Sequence, residues 1–361
     1  MSTSKTKITV AVACALGIAA HAQADELTIY GTVGAALELI DNGDTSTTEV
    51  NNNHSAFGLK GSKDIQDGLK GVYLFDAFVG IDAGGGAGDD SLFGGGRDGW
   101  VGLSGESWGI VALGFQGRPW KTSTNHLDIF GSTAADYSAI LGTTGDSNLD
   151  GKPEDAYFDG GIGNSLIYFG PNINGFSWHL QFGADEQDDS TNDWGAQVNY
   201  SNDSLYLSLS HDVDGQGDDD NVDDISATKL AASFTFGGAT TITGIFDQIS
   251  GEDEDSRNAF YIALAHRIAN TTLKLAYSVA DDNDDVSDSG ATYIALGVSH
   301  KLTDDIELYA LYSQLDNDEN GTYTYISEPH TTSSGNTGIP EAGEDSNVIA
   351  AGIRYDFAWE N

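Results

Sequence analysis

Carboxylates, aromatic rings and a few isolated bases are the side chains of this 361-residue sequence that could do chemistry. They gather between Gln116 and Gly163, where Asp128, Asp136, Asp146, Asp150, Glu154 and Asp155 share a segment with Trp120, Tyr137 and Tyr157. Acids at such density could select cations at close range, and the three aromatics could form a track for stacking sugar rings. Asp146-Ser147-Asn148-Leu149-Asp150-Gly151 places oxygen ligands at alternate positions before a glycine, as a calcium loop does. Asp146, Asn148 and Asp150 are therefore candidate calcium ligands, with Glu154 or Asp155 to complete the shell. No helix pattern flanks them, and Tyr157 stands where a twelfth-position Glu should be, so a bare polar turn is the better reading. No other cofactor is indicated. The histidines His54, His126, His179, His211, His266, His300 and His330 are scattered without metal spacing. Nothing pairs a serine with a base or cradles a phosphate, and an enzyme is not the reading.

Such side chains need elements to hold them, and the rest of the chain supplies one kind. Apolar residues recur at every second position, as in 176–182 and 205–210, marking half-buried strands. About sixteen are predicted: 26–39, 55–61, 69–79, 97–104, 108–115, 164–170, 175–184, 194–200, 204–212, 226–236, 239–249, 257–268, 271–280, 291–301, 305–315 and 346–357. Short connections (Gly105-Glu106-Ser107, Ser201-Asn202-Asp203, Gly237-Gly238, Ala269-Asn270) alternate with long acidic ones such as Asp214 to Asp224 and Asp281 to Asp288. A soluble sandwich has no reason to sort loop length by end. A closed antiparallel barrel in an outer membrane does.

The N-terminus agrees. Residues 1–24 read as a secretory signal peptide: Lys5 and Lys7, an apolar run from Ile8 to Ala20, then Ala22-Gln23-Ala24 as the cleavage pattern. The remainder, 25–361, reads as one β-barrel domain without cysteine, held by ladder and packing and not by disulfides. Losing Lys5 and Lys7 takes the formal charge from −41 to −43, which excludes nucleic acid as a partner. No later segment is apolar for long enough to be a spanning helix.

Parity assigns the faces. Phe260, Ile262 and Leu264 oppose Arg257, Ala263 and Arg267; Leu273, Leu275 and Tyr277 oppose Lys274 and Ala276. The bases fall on the small-residue face, as they must if the other face meets lipid, where a midplane Lys or Arg costs about 2–4 kcal/mol. Trp108, Phe176, Trp194, Tyr277 and Tyr355 suit interfacial girdles. A barrel of this size encloses water, and the long 116–163 connection, with its mixed apolar and acidic content, is the expected constriction. The last long loop, 316–345, reads as an exterior cap.

Several stretches resemble the general porins of Gram-negative outer membranes. They are Leu27-Thr28-Ile29-Tyr30-Gly31, Ser55 to Asp64 running on to Lys70, Arg97-Asp98-Gly99-Trp100-Val101-Gly102-Leu103-Ser104-Gly105 with Trp108-Gly109, and Gly352 to Phe357. The resemblance covers the chain after residue 24. It implies a homotrimer of sixteen-stranded barrels in contact with lipid and lipopolysaccharide, each with its third loop folded inside against basic wall side chains. Arg97 is then the best wall base, with Lys60, Arg257, Lys274 and Arg354 as the other candidates. Ala56 and Phe115 stand where the family commonly has bases, and Ala358-Trp359-Glu360-Asn361 extends past the usual terminal aromatic. Few bases and many acids predict a channel for small hydrophilic solutes that prefers cations. A sugar-selective channel is the alternative, and a barrel-embedded enzyme or adhesin a more distant one.

Overall fold

A computed structural model describes residues 26–43, 45–81, 93–145, 157–184, 192–215, 224–251, 256–284, 286–324 and 342–360. The signal peptide, the glycine-rich segment of the second loop (Gly84-Gly85-Gly86), and the candidate ligands Asp146, Asn148, Asp150, Glu154 and Asp155 lie outside the described residues.

Alternation closes into one antiparallel sheet of strands β1 (Glu26–Asp41), β2 (Ser46–Asn52), β3 (Ala56–Gln66), β4 (Leu69–Val79), β5 (Phe93–Gly105), β6 (Gly109–Gly117), β7 (Gly161–Phe169), β8 (Phe176–Gly183), β9 (Trp194–Ser201), β10 (Leu205–Asp214), β11 (Ile225–Phe236), β12 (Thr240–Ser250), β13 (Arg257–Ile268), β14 (Thr271–Ala280), β15 (Ala291–Lys301), β16 (Ile306–Asn317) and β17 (Ser346–Glu360). β1 pairs with β17 along its length, from Thr28–Glu360 to Asp41–Asn347, which seals the barrel. On its other side β1 meets β3 over its lower half and β2 over its upper half. Together β2 and β3 make a single stave, so the barrel has the expected sixteen. The sequence reading left 40–54 as a connection, because Asn51-Asn52-Asn53 and the threonines of β2 carry no apolar alternation. The C-terminal extension continues the last strand, with Trp359 opposite Ile29.

Where the ladder satisfies every backbone group, side chains are free to sort by face. Val101, Leu113, Ile262, Leu273 and Ile353 are exposed on the outer surface, while Ala263, Ala276, Ser278, Ala295 and Ser313 are buried on the inner one. All five predicted girdle aromatics are exposed as well. Among the described residues no helix is long and apolar enough to cross a membrane. The core sits inside the barrel, against the third loop: Trp120, Phe130, Tyr137, Ile140, Leu141 and Phe158 pack on Ile225, Ile245, Ile249, Tyr261 and Tyr293 of the wall.

Candidate functional site

The third loop leaves β6 and turns into the lumen through one short helix, α1 (Pro119–Thr124), with proline at its start where no backbone donor is needed. Two single 3-10 turns follow, Asn125–Leu127 and Tyr137–Ala139. Trp120, Leu127, Phe130, Tyr137, Ile140 and Leu141 of the loop are buried, while Asp136, Tyr157 and Asp159 line an open cavity. This explains the mixed composition that set the segment apart.

One ion pair holds both arms of the loop. Asp247 on β12 and Arg257 on β13 lie 2.9 Å apart, both side chains at 0% exposure. The Asp247 carboxylate accepts from Trp120 Nε1 at 2.8 Å, near the loop's start, and from the Gly142 amide at 3.0 Å, well past its tip. Arg257 donates to the carbonyls of Ile140 at 3.0 Å and Thr143 at 2.8 Å. Nearby, Asp212 accepts from the Trp120 amide at 3.0 Å, and the Lys229 ammonium sits 3.0 Å from the centre of the Trp120 ring. That cation-π contact and these charge-assisted bonds operate out of water, where such contacts are strongest.

The tip is fixed by its own carboxylates. Asp128 accepts from the amides of Phe130 and Tyr137, each at 2.9 Å, and Asp136 from those of Ser132 and Ser138. Beyond them, Phe130 is seated over Gly297 on β15: a Cβ there would lie 2.6 Å from its ring.

Between tip and wall lies a cavity of about 340 Å³. The wall contributes His54, Phe78, Arg97 and Asp98; the loop contributes Lys121, Asp128, Asp136, Tyr157 and Asp159. Arg97 stacks 5.0 Å from the centre of the Phe78 ring, and Lys121 bonds to Asp159 at 3.2 Å. Burial raises Asp128 well above the usual carboxylate range, and Asp136 beside it pushes the same way. Asp159 is raised by burial too, with the Lys121 ammonium opposing. A smaller cavity of about 190 Å³ lies on the other side of the tip, lined by Lys274, Glu307, Tyr309 and Arg354.

Arg97, Asp128, Asp136 and Tyr157 thus line one opening. Tyr157 is 38% exposed there. Two other expectations change. Arg257 is no open wall base, because its guanidinium is spent on Asp247 and the loop carbonyls. Trp120 and Tyr137 cannot form a sugar track, being 0% and 2% exposed and turned toward the wall. Lys274 and Arg354 line the smaller cavity, and Lys60 lies 5.6 Å from the Tyr30 ring lower in the wall. Sequence reasoning missed Lys121, Asp212, Lys229 and Asp247. The last three sit at inward parity in otherwise ordinary strands, a signal that was available. Phe115, which stands where the family commonly has a base, is 37% exposed and packs over Gly161 at the cavity rim.

The family model of Gram-negative porins matches residues 9–320. The chain belongs to the Gram-negative porin family. Outer membrane porin protein 32 of Delftia acidovorans is 28% identical over 319 residues, 84% of each chain. An outer membrane porin protein of Bordetella pertussis is 27% identical over 203 residues, so this porin spans about half the length of that relative. Among solved structures, the anion-selective porin from Comamonas acidovorans aligns with a TM-score of 0.75 at 23% identity, covering 92% of this chain and 100% of that one. At that identity the likeness shows the fold, a closed sixteen-stranded barrel. The protein is a porin channel of the Gram-negative outer membrane.

Proposed function

We propose that this porin passes small hydrophilic solutes by diffusion and prefers cations. The supporting observation is the charge around the constriction. Lining the larger cavity, four carboxylates (Asp98, Asp128, Asp136, Asp159) face two bases, Arg97 and Lys121, with Lys121 engaged by Asp159; the smaller cavity adds Lys274 and Arg354 against Glu307. In a narrow space of low dielectric walls, that excess raises the local concentration of cations. The anion-selective porin of Comamonas acidovorans shares the fold, so on this reading the opposite preference resides in side chains and not in the barrel. The test is the reversal potential of the porin in planar bilayers under a salt gradient. A potential of the sign set by chloride would overturn the reading.

The channel is proposed to be non-specific. With Trp120 and Tyr137 withdrawn into the wall, Tyr157 is left alone of the three aromatics, and one ring is a poor track. Saturation of flux with a single sugar in liposome swelling would contradict this. A homotrimer is proposed as the working assembly. Its support is the outer wall where Phe357 lies over Gly31 and Tyr73 over Gly61, aromatic rings seated on glycines that offer an apolar surface to a copy of the chain. A secretory signal over residues 1–24 fits export to this membrane, and N-terminal sequencing of the isolated protein should begin at Asp25.

A further inference from the structure

Three consecutive residues on the outgoing arm of the third loop are held from three different hairpins. Thr143 is held by Arg257, from β13, as described above. Thr144 is held by the loop between β14 and β15, where Asn283 Nδ2 donates to its carbonyl at 2.8 Å. Gly145 is covered by the loop after β16: the Tyr323 ring lies 2.7 Å from where a Cβ on Gly145 would stand. Gly145 has a φ of +80°, which favours glycine on conformational grounds as well.

Tyr323 is 1% exposed, although it belongs to a connection the sequence marks as an exterior cap. Its position is built. Asn317, the last residue of β16, accepts from the Tyr323 amide at 3.0 Å and donates to its carbonyl at 2.9 Å. Asn317 also donates to the carbonyl of Glu344 at 3.0 Å, tying the two ends of that exterior connection together. On the neighbouring loop, Ser289 accepts from the Asn283 amide at 2.8 Å, and Asp282 accepts from the amides of Asp288, Ser289 and Gly290. Both contacts thus come from self-braced loops, and both land on adjacent residues of the constriction loop.

The geometry points to Tyr323 and Asn283 as positioning residues of the constriction: two exterior loops press the outgoing arm of the third loop onto the wall and so fix the opening. The inference rests on the reading of the third loop as the constriction. Among the described residues the Tyr323 hydroxyl makes no hydrogen bond of ordinary geometry, although the Arg257 guanidinium lies beside it, and its ring is enclosed; the part proposed for Tyr323 is therefore packing. A phenylalanine should replace it without loss, and an alanine should leave the arm uncovered. Because the arm is continuous with the Asp247–Arg257 clamp, its release would let the opening fluctuate between positions.

Single-channel recording on the full-length protein in planar bilayers tests this, with Tyr323→Phe, Tyr323→Ala and Asn283→Ala compared with wild type. Folding of each variant is checked by heat-modifiable migration on gels. Wild-type conductance tests the channel reading itself, independently of the variants. The expected result is one conductance level for wild type and Tyr323→Phe. For Tyr323→Ala and Asn283→Ala the expectation is loss of that single level to several sublevels, with excess open-channel noise. Folded Tyr323→Ala and Asn283→Ala channels with wild-type level and noise would overturn the inference. So would a Tyr323→Phe channel as disturbed as Tyr323→Ala, because packing would not then be the cause. If Tyr323→Ala fails to fold, Asn283→Ala decides alone, since it removes only one hydrogen bond to the arm from a half-buried loop residue.

Discussion

Replacing Arg257 by methionine should free the constriction loop. The side chain keeps comparable bulk, so the loss is electrical and hydrogen-bonded more than steric. Four contacts go: the ion pair with Asp247, the bond to Ile140 and two to the Thr143 carbonyl. Asp247 then keeps Trp120 and Gly142 as donors but loses its balancing charge in a site at 0% exposure. Breaking one partner out of a buried pair costs about 3–5 kcal/mol. Most of that cost falls on the seated loop, because Asp247 regains water when the loop lifts away. The population of the lifted loop should therefore rise by about 10²- to 10³-fold, at 1.4 kcal/mol per factor of ten. Limited proteolysis reads this population directly when opening is fast compared with cleavage. Cleavage within 118–145 should accelerate accordingly in Arg257→Met, and the single-channel level should broaden. Asp247→Asn with Arg257→Met should do less harm than the two single changes added together, since no lone charge is left. Cleavage and conductance like wild type in Arg257→Met would refute the argument that this pair seats the loop.

Acidification should weaken cation preference before ordinary carboxylates titrate. Asp128 and Asp159 are raised by burial, so as pH falls they take up protons earlier than exposed acids do. The sign for stability follows: a carboxyl raised in the folded state binds protons more tightly there, so its burial penalty is present at neutral pH and relieved as pH falls through the raised value. Reversal potentials measured from pH 7 downward should move toward zero while protease resistance of the loop holds or improves. Neutralising the wall base, Arg97→Gln, should enlarge the cation reversal potential, and no change would place the selectivity elsewhere. Gly297→Ala should dislodge Phe130, because the added methyl would lie 2.6 Å from its ring; overpacking of this kind costs about 1–3 kcal/mol. A changed conductance with an intact barrel is the expected reading.

Much of the wall was legible because alternation is a local property. Leu273, Leu275 and Tyr277 declare their face whatever lies across the barrel. Arg97 shows where that reading fails. Strict parity with Val101 and Leu103 would send it into lipid. The pairing of Phe75 with Gly99 and of Ala77 with Gly96 inserts one extra residue into β5, a bulge that turns both Arg97 and Asp98 toward the cavity. Nothing in the local alternation marks that bulge, and only the family resemblance pointed to Arg97. Trp120 and Arg257 failed for a different reason. Their types suit both a stacking track and a pore charge. What assigns them is the approach of Asp247, 127 and 10 positions away respectively, which no local pattern contains. The reading of 316–345 as an exterior cap gave no sign that Tyr323 would be buried over Gly145 of another loop.

Burying this much charge behind the loop makes poor sense as a device for stability. Replacement of a buried ion pair by apolar groups is often neutral or favourable, since desolvation consumes most of the attraction. An apolar seat would hold Trp120, Ile140 and Leu141 comparably well. It would not decide where along the wall they sit, because hydrophobic contact is non-directional. Hydrogen bonds from Trp120 Nε1, the Gly142 amide and the Arg257 guanidinium to one carboxylate admit a single arrangement of both arms. The opening beside the tip is bounded by those arms, and its charge acts only if the distances are kept. The buried Asp247–Arg257 pair is therefore best understood as specifying a position. That view has a consequence of its own: a variant with both residues replaced by leucine should retain or gain thermal stability, yet lose the single conductance level. If Asp247→Leu with Arg257→Leu instead lowered the unfolding temperature and left the conductance level unchanged, the pair would be serving stability and the argument would fail.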